Sequence, residues 1–166
     1  GKRKPGRMYI GINPKNYTSL LTTQVRCFSV IMAATNLLEH DERKDPWWTL
    51  LLFFNSLREL GGGLTLFASD IPERLKHVQS QCNSGAKWRY LNDVFELTGR
   101  LSNSEVPRAL EKLEREKKAQ SYPVDACLAS NIIEVGVDVD RLGLMGVIGQ
   151  PKTTAQYIQA TGRVGR

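Results

Sequence analysis

Thr49-Leu50-Leu51-Leu52-Phe53-Phe54 is an unbroken apolar run of strand length. A strand with no polar side to show to water has to be covered on both faces, which is the situation of a parallel strand inside an α/β domain. Working outward from it, Asn55 and Ser56 follow at once and can cap a helix that begins Leu57-Arg58-Glu59-Leu60, although Gly61-Gly62-Gly63 is expected to weaken or break that helix. Downstream, Val94 to Thr98, Val124 to Ala129 and Leu144 to Ile148 are further short apolar runs. Ser102 and Glu105 have the spacing of a capping box, with Val106, Leu110 and Leu113 marking one face of a helix that runs to about Lys118. A last helix can start at Thr153 or Thr154. Upstream, Asp41 to Pro46 reads as a charged connector, and Leu21, Val25, Phe28 and Met32 form the apolar face of a long helix ending near His40. Met8 to Ile12 reads as a short strand. Between Leu64 and Tyr90 only one helix, including Arg74, Leu75 and Val78, is legible. Strands alternating with helices imply an α/β fold with a mainly parallel sheet in one compact domain over residues 1–166.

The composition sets bounds on what such a domain does. With 41% hydrophobic and 24% charged residues it has the make-up of an ordinary globular protein rather than a disordered or fibrous one. The excess of 23 basic over 17 acidic residues makes a polyanionic partner plausible, although Lys2, Arg3, Lys4 and Arg7 supply part of it at one end, where they can equally be a solvated terminus. Cys27, Cys82 and Cys127 are far apart, and His40 and His77 are isolated from them, so neither a disulfide framework nor a metal site is expected. No apolar run reaches the ~20 residues of a membrane span, and no secretory leader is legible, so a cytoplasmic protein without membrane partners is expected.

The residues with most chemical content close the chain: Gln159-Ala160-Thr161-Gly162-Arg163-Val164-Gly165-Arg166. Two arginines three apart can point together from a helix end and meet one anion, and the guanidinium fork matches phosphate oxygens while staying charged at any physiological pH. Alone, Gly-Arg-x-Gly-Arg is as readily a basic turn that caps a helix. A second segment stands upstream of it, Ala129-Ser130-Asn131-Ile132-Ile133-Glu134-Val135-Gly136-Val137-Asp138, running from a strand end to Gly-x-Asp. A hydroxyl at a strand end can bond a backbone phosphate, glycine permits close approach, and the carboxylate can accept from a ribose hydroxyl.

This series of strand, Gly-x-Asp, strand, Gln-Pro, helix and Gln-x-x-Gly-Arg-x-Gly-Arg resembles motifs V and VI of superfamily 2 helicases. The resemblance covers roughly Thr49 to Arg166. It implies a RecA-like three-layer sandwich of the P-loop NTPase type, the C-terminal of the two motor domains of an ATP-dependent helicase or translocase. By the same resemblance Arg163 and Arg166 are the catalytic arginines that reach the γ-phosphate, with Gln159, Gly136 and Asp138 on the nucleotide. Ser130 and Asn131 lie near the nucleic-acid backbone. Thr49 to Leu60 resembles motif IV, which assigns Asn55 and Ser56 to a phosphate, and Leu97-Thr98-Gly99-Arg100 resembles a strand-end segment that places Thr98, Gly99 and Arg100 on the strand. The phrase from Gly149 to Thr161 is similar to large bacterial DNA helicases of phage-defence islands, including the DISARM type, which favours DNA over RNA.

The chain carries no Gly-x-x-x-x-Gly-Lys-Ser/Thr phosphate loop and no strand-end Asp-Glu pair to hold Mg2+. In the family those belong to an N-terminal RecA-like domain of the same protein, so the chain is expected to be a fragment that shares an ATP site and is inactive alone. The alternative is a non-catalytic RecA-like scaffold that binds nucleic acid or protein. A phosphate loop followed by an acidic motif upstream in the gene separates the two.

Overall fold

The computed structural model describes residues 6–14, 19–38, 41–82, 88–102, 104–117, 122–130 and 139–165. Helix α1 (Leu20–Thr35) and α2 (Asp41–Trp48) precede strand β1 (Leu50–Phe54), and α3 (Leu57–Ala68) and α4 (Asp70–Gln81) follow it. Then come β2 (Val94–Leu97), α5 (Glu105–Glu114), β3 (Ala126–Ala129), β4 (Met145–Ile148) and α6 (Thr154–Thr161). The four strands form one sheet in the order β2-β3-β1-β4, every pairing parallel.

All five residues of β1 are buried, as a central strand demands. Successive side chains go to opposite faces. Leu50, Leu52 and Phe54 join Phe28 and Met32 of α1, Leu60 and Phe67 of α3, and Ile71 and Leu75 of α4. Leu51 joins Ala109 and Leu113 of α5, while Phe53 meets Ala160 of α6. Helices on both faces give the three-layer α/β sandwich expected from the apolar run at Thr49–Phe54.

Several expectations are corrected. Residues Met8 to Ile12 form no strand; Met8, Tyr9, Ile10 and Ile12 are 85%, 59%, 75% and 59% exposed, with no strand beside them to accept their ladder. Asp41 to Pro46 is not a connector but most of α2, whose end is tied down when Thr35 Oγ1 donates to Trp47 O at 3.2 Å and Gly143 N donates to Pro46 O at 2.7 Å. Tertiary bonds here override a composition that reads as loop. Helix α1 starts at Leu20, where Ser19 Oγ accepts from Thr22 N at 3.1 Å, and stops at Thr35; His40 lies outside the described residues. The triple glycine does not break α3. A Cβ on Gly63 would stand 2.6 Å from Phe54 Cζ, so glycine is what lets the helix settle onto β1, and the buried Leu60, Leu66 and Phe67 offset the ~1 kcal/mol that each helical glycine costs. Helix α5 ends at Glu114, where Arg115 turns extended, rather than near Lys118, which lies outside the described residues.

Candidate nucleotide and nucleic-acid site

Because the strands are all parallel, one edge of the sheet collects their C-terminal ends and the other their beginnings. At the finishing edge the register sets Phe53 and Leu97 level with Ala129, and Phe54 level with Ile148. Thr98, Ser130 and Asn55 therefore come one or two steps past these positions, side by side. In open α/β sheets this is the edge at which ligands bind.

The details of that edge differ residue by residue. Ser56 is exposed and is the N-cap of α3: its Oγ accepts from Glu59 N at 3.2 Å and donates to Glu59 Oε2 at 3.1 Å. Asn55 Nδ2 donates to Ile148 O at 3.0 Å, tying the end of β1 to the end of β4. Thr98 and Ser130 are buried, at 0% and 4% exposure. Thr98 Oγ1 accepts from Arg100 N at 3.4 Å and Thr98 O accepts from Leu101 N at 3.1 Å, closing a turn whose Gly99 and Arg100 face solvent. Ser130 N donates to Leu97 O at 3.3 Å, extending the β2–β3 ladder by one step. Asn131, Gly136 and Asp138 lie outside the described residues, as does Arg166.

The arginine segment lies at the other edge. Helix α6 leaves the finish of β4 and runs back over the face of the sheet, so its C-terminus arrives where β4 begins. Its N-cap is Thr153, whose Oγ1 accepts from Gln156 N at 3.2 Å, which fixes the start at Thr154. Gln159 is exposed on its last turn. Beyond the helix, Gly165 N donates to Leu142 O at 2.8 Å, and Val164 is buried with Val139 and Leu142. Val139 is the residue directly after Gly136-Val137-Asp138, so the arginine turn and the exit of the Gly-x-Asp segment pack together. Gly165 has φ +72°, in the left-handed region that favours glycine, which accounts for the second glycine of the Gly-Arg-x-Gly-Arg pattern.

Of the described arginines near this starting edge, Arg7, Arg89 and Arg141 are engaged internally. Arg89 is buried, donates to Trp48 O at 2.6 Å and to Asp125 Oδ1 at 3.1 Å, and lies 4.1 Å from the centre of the Trp48 ring. Burial pulls its pKa down while Asp125 opposes the shift. Arg141 donates to Thr49 Oγ1 at 2.8 Å and to Arg115 O at 3.0 Å; burial lowers its pKa too, against Asp45 and Glu116. Arg7 donates to Val164 O and Gly162 O. Arg163 is half-buried and has its guanidinium bonded to no acceptor among the described residues, and the exposed Arg115, whose carbonyl accepts from Arg141, likewise has none. Arg7 is therefore no solvated terminal charge, and Arg89 and Arg141 have partners distant in the chain that leave no local pattern in the sequence. Among the described residues no three His, Cys, Asp or Glu side chains gather as a metal site. None of the described helices is long and apolar enough to cross a membrane.

Comparison with known proteins agrees with this layout. The profile of the helicase conserved C-terminal domain matches residues 55–166. The DISARM protein DrmA of Bacillus paralicheniformis is 43% identical over 166 residues, covering 98% of this chain and 14% of that protein. The ATP-dependent helicase Lhr-Core of Methanocaldococcus jannaschii is 33% identical over 54 residues, covering 32% of the chain and 6% of that protein. The chain thus spans about a seventh of the longer relative it matches throughout. With a parallel α/β sheet and the arginine turn packed beside the exit of the Gly-x-Asp segment, the chain belongs to the helicase conserved C-terminal domain family, the second motor lobe of superfamily 2 helicases.

Proposed function

We propose that this domain is the second lobe of an ATP-dependent superfamily 2 translocase or helicase, acting in the cytoplasm on DNA in preference to RNA. ATP lies between it and an N-terminal RecA-like lobe that brings the phosphate loop and Mg2+. Arg163 and Arg166 supply positive charge to the γ-phosphoryl group as it transfers, and Gln159, Gly136 and Asp138 line the nucleotide side. Phosphoryl transfer needs little covalent help from protein, and most of the acceleration comes from placing charge where the transition state develops it. The finishing edge holds the nucleic-acid backbone: Ser56, Gly99 and Arg100 present the surface, Asn55, Thr98 and Ser130 hold that surface in shape, and Asn131 continues it. Closing the two lobes on ATP completes the site, and opening them after hydrolysis shifts the grip on the strand.

The observation that carries this reading is the position of Arg163, half-buried and unbonded on the turn that Gly165 N tethers to Leu142 O, beside Arg7, Arg89 and Arg141 that are bonded internally. An arginine kept half-buried on a tethered turn, with its fork unbonded, is poised for an anion from outside. The preference for DNA rests on the resemblance of the Gly149 to Thr161 phrase to bacterial phage-defence DNA helicases of the DISARM type, and the chain is 43% identical to the DISARM protein DrmA. In the full-length protein, Arg163→Ala or Arg166→Ala should lower nucleic-acid-stimulated ATP turnover by about 10³-fold, the scale of an arginine finger, while strand affinity stays within about twofold. Unchanged turnover in both variants counts against the finger assignment, and tight ATP binding by this domain alone would overturn the shared site.

A further inference from the structure

Arg7 lies 157 residues before Val164, on a stretch of chain in no regular element, yet its side chain reaches the arginine turn. Its Nε donates to Val164 O at 2.6 Å and its Nη2 to Gly162 O at 3.1 Å. These two carbonyls belong to the residues on either side of Arg163. One rigid guanidinium thus holds the backbone both before and after the side chain that is offered to the nucleotide.

The chemistry explains why a cation is useful there. The last carbonyls of a helix lack intrahelical donors and carry the negative end of its dipole. Helix α6 has no basic residue in its own last turn, and Arg7 brings a cation against its C-terminus, bonding the carbonyl of the C-cap Gly162 and that of Val164 two residues beyond. The same segment makes a second approach one turn of α6 earlier, where the rings of Tyr9 and Tyr157 lie 6.4 Å apart. It also fits against the turn: a Cβ added to Gly165 would stand 3.5 Å from Arg7 Cγ, in ordinary contact. From the other side, Gly165 N is bonded to Leu142 O at 2.8 Å. The turn is therefore pinned from two directions.

We propose that Arg7 is a positioning residue for ATP hydrolysis: by bridging the carbonyls of Gly162 and Val164 it fixes the direction in which Arg163 leaves the turn. This rests on the finger assignment made above. It does not require Arg7 to touch the nucleotide. Lysine is a poor substitute, because a point charge on a flexible stem does not reproduce a planar fork that spans two acceptors. Displacing a catalytic group by ~1 Å costs on the order of 10²-fold in rate, so even a small swing of the turn is enough to matter.

The test uses the full-length protein with Arg7→Ala, Arg7→Lys and Arg163→Ala, read by ATP turnover with nucleic acid present and by amide hydrogen exchange. Arg7→Ala should lower kcat by roughly 10- to 100-fold with KM for ATP within about twofold, and Arg7→Lys should fall between it and the parent. Exchange across residues 162–165 should quicken by about tenfold in Arg7→Ala while β1 keeps its protection. Unchanged exchange in the turn overturns the proposal. So does a rise in KM at constant kcat, or a loss of protection in β1 as large as that in the turn, which would mark a general folding role. If Arg163→Ala leaves turnover intact, the finger assignment fails by itself; quickened exchange in Arg7→Ala then still shows the clamp, and its absence removes the clamp as well.

Discussion

The two edges of the sheet are held by different kinds of bond. At the starting edge the polar contacts are long-range: Arg89 with Asp125 and Thr49 Oγ1 donating to Val124 O at 2.7 Å are buried, Arg141 with Thr49 is part-buried, and Arg141 with the Arg115 carbonyl is exposed. At the finishing edge Asn55 still ties β1 to β4 through Ile148 O, but the loops beyond it are shaped by local, exposed bonds: Ser56 with Glu59 and Ser102 with Glu105, each pair three residues apart. The first kind locks distant segments together around the end of the sheet where Arg163 is displayed. The second kind shapes each loop by itself, leaving Gly99 and Arg100 open to solvent. Under the proposed function, a rigid seat would suit an arginine that meets a phosphoryl transition state within a fraction of an ångström, and loops shaped independently would suit a backbone that slides past.

The comparison is broken most forcefully at Asp125. Its Oδ1 accepts from Arg89, and its Oδ2 accepts from Asn92 N at 2.8 Å and Asp93 N at 3.2 Å. Asp125→Ala leaves the Arg89 guanidinium buried with no carboxylate and two amides without an acceptor. Removing one partner of a buried pair costs about 3–5 kcal/mol, because the stranded charge has no water to return to. Urea denaturation at neutral pH measures it. A loss below about 1 kcal/mol would mean that water reaches Arg89 and that this edge is not locked by burial.

The same difference decides what could be read from sequence. Thr49–Phe54 and the cap at Ser56 were legible because an unbroken apolar run of strand length and a three-residue cap spacing are written locally. The helix α2 was not, since its charged residues look like a loop until Thr35 and Gly143 bond to its last turn. Gly61-Gly62-Gly63 misled for a related reason: propensity counts against glycine in a helix, but the 2.6 Å approach to Phe54 exists only in three dimensions. In the candidate site, Arg163 stands in a pattern eight residues long, while the bond from Arg7 to Val164 O spans 157 residues and leaves no local pattern. Ser102 and Glu105 were read as a capping box, and half of one is present. Glu105 reaches back to Ser102 N at 2.8 Å, but the N-cap position of α5 is Ser104, which makes no side-chain cap.

Ser56 tests whether the finishing edge does two jobs. As the N-cap of α3 it should contribute about 1 kcal/mol, lost in Ser56→Ala and measurable by chemical denaturation. Aspartate keeps the capping acceptor but places a negative charge where a phosphate is proposed to lie. Ser56→Asp should therefore retain stability within about 0.5 kcal/mol while weakening DNA binding several-fold at low salt, an effect that fades as salt screens it. Equal DNA affinity for Ser56→Asp and the parent would confine Ser56 to the cap.

The smallest effect belongs to Glu105. Its carboxylate accepts from Ser102 Oγ at 2.7 Å and from Ser102 N at 2.8 Å, and these bonds hold its pKa below the ordinary glutamate value although the group is fully exposed. A folded-state pKa below the unfolded one means that folding favours the ionised form. The contribution is therefore complete above the usual glutamate pKa of about 4.3 and disappears as pH falls through the lower folded value. Glu105→Gln should lower Tm slightly at pH 7, and the gap between variant and parent should close as the pH is taken below about 4. Because the partners are three residues apart, the bond can re-form locally whenever the helix start frays, which is why its loss should be felt in α5 and the Gly99–Arg100 turn and not at Arg163. A gap that persists unchanged at low pH would show that shape, rather than charge, joins Glu105 to Ser102.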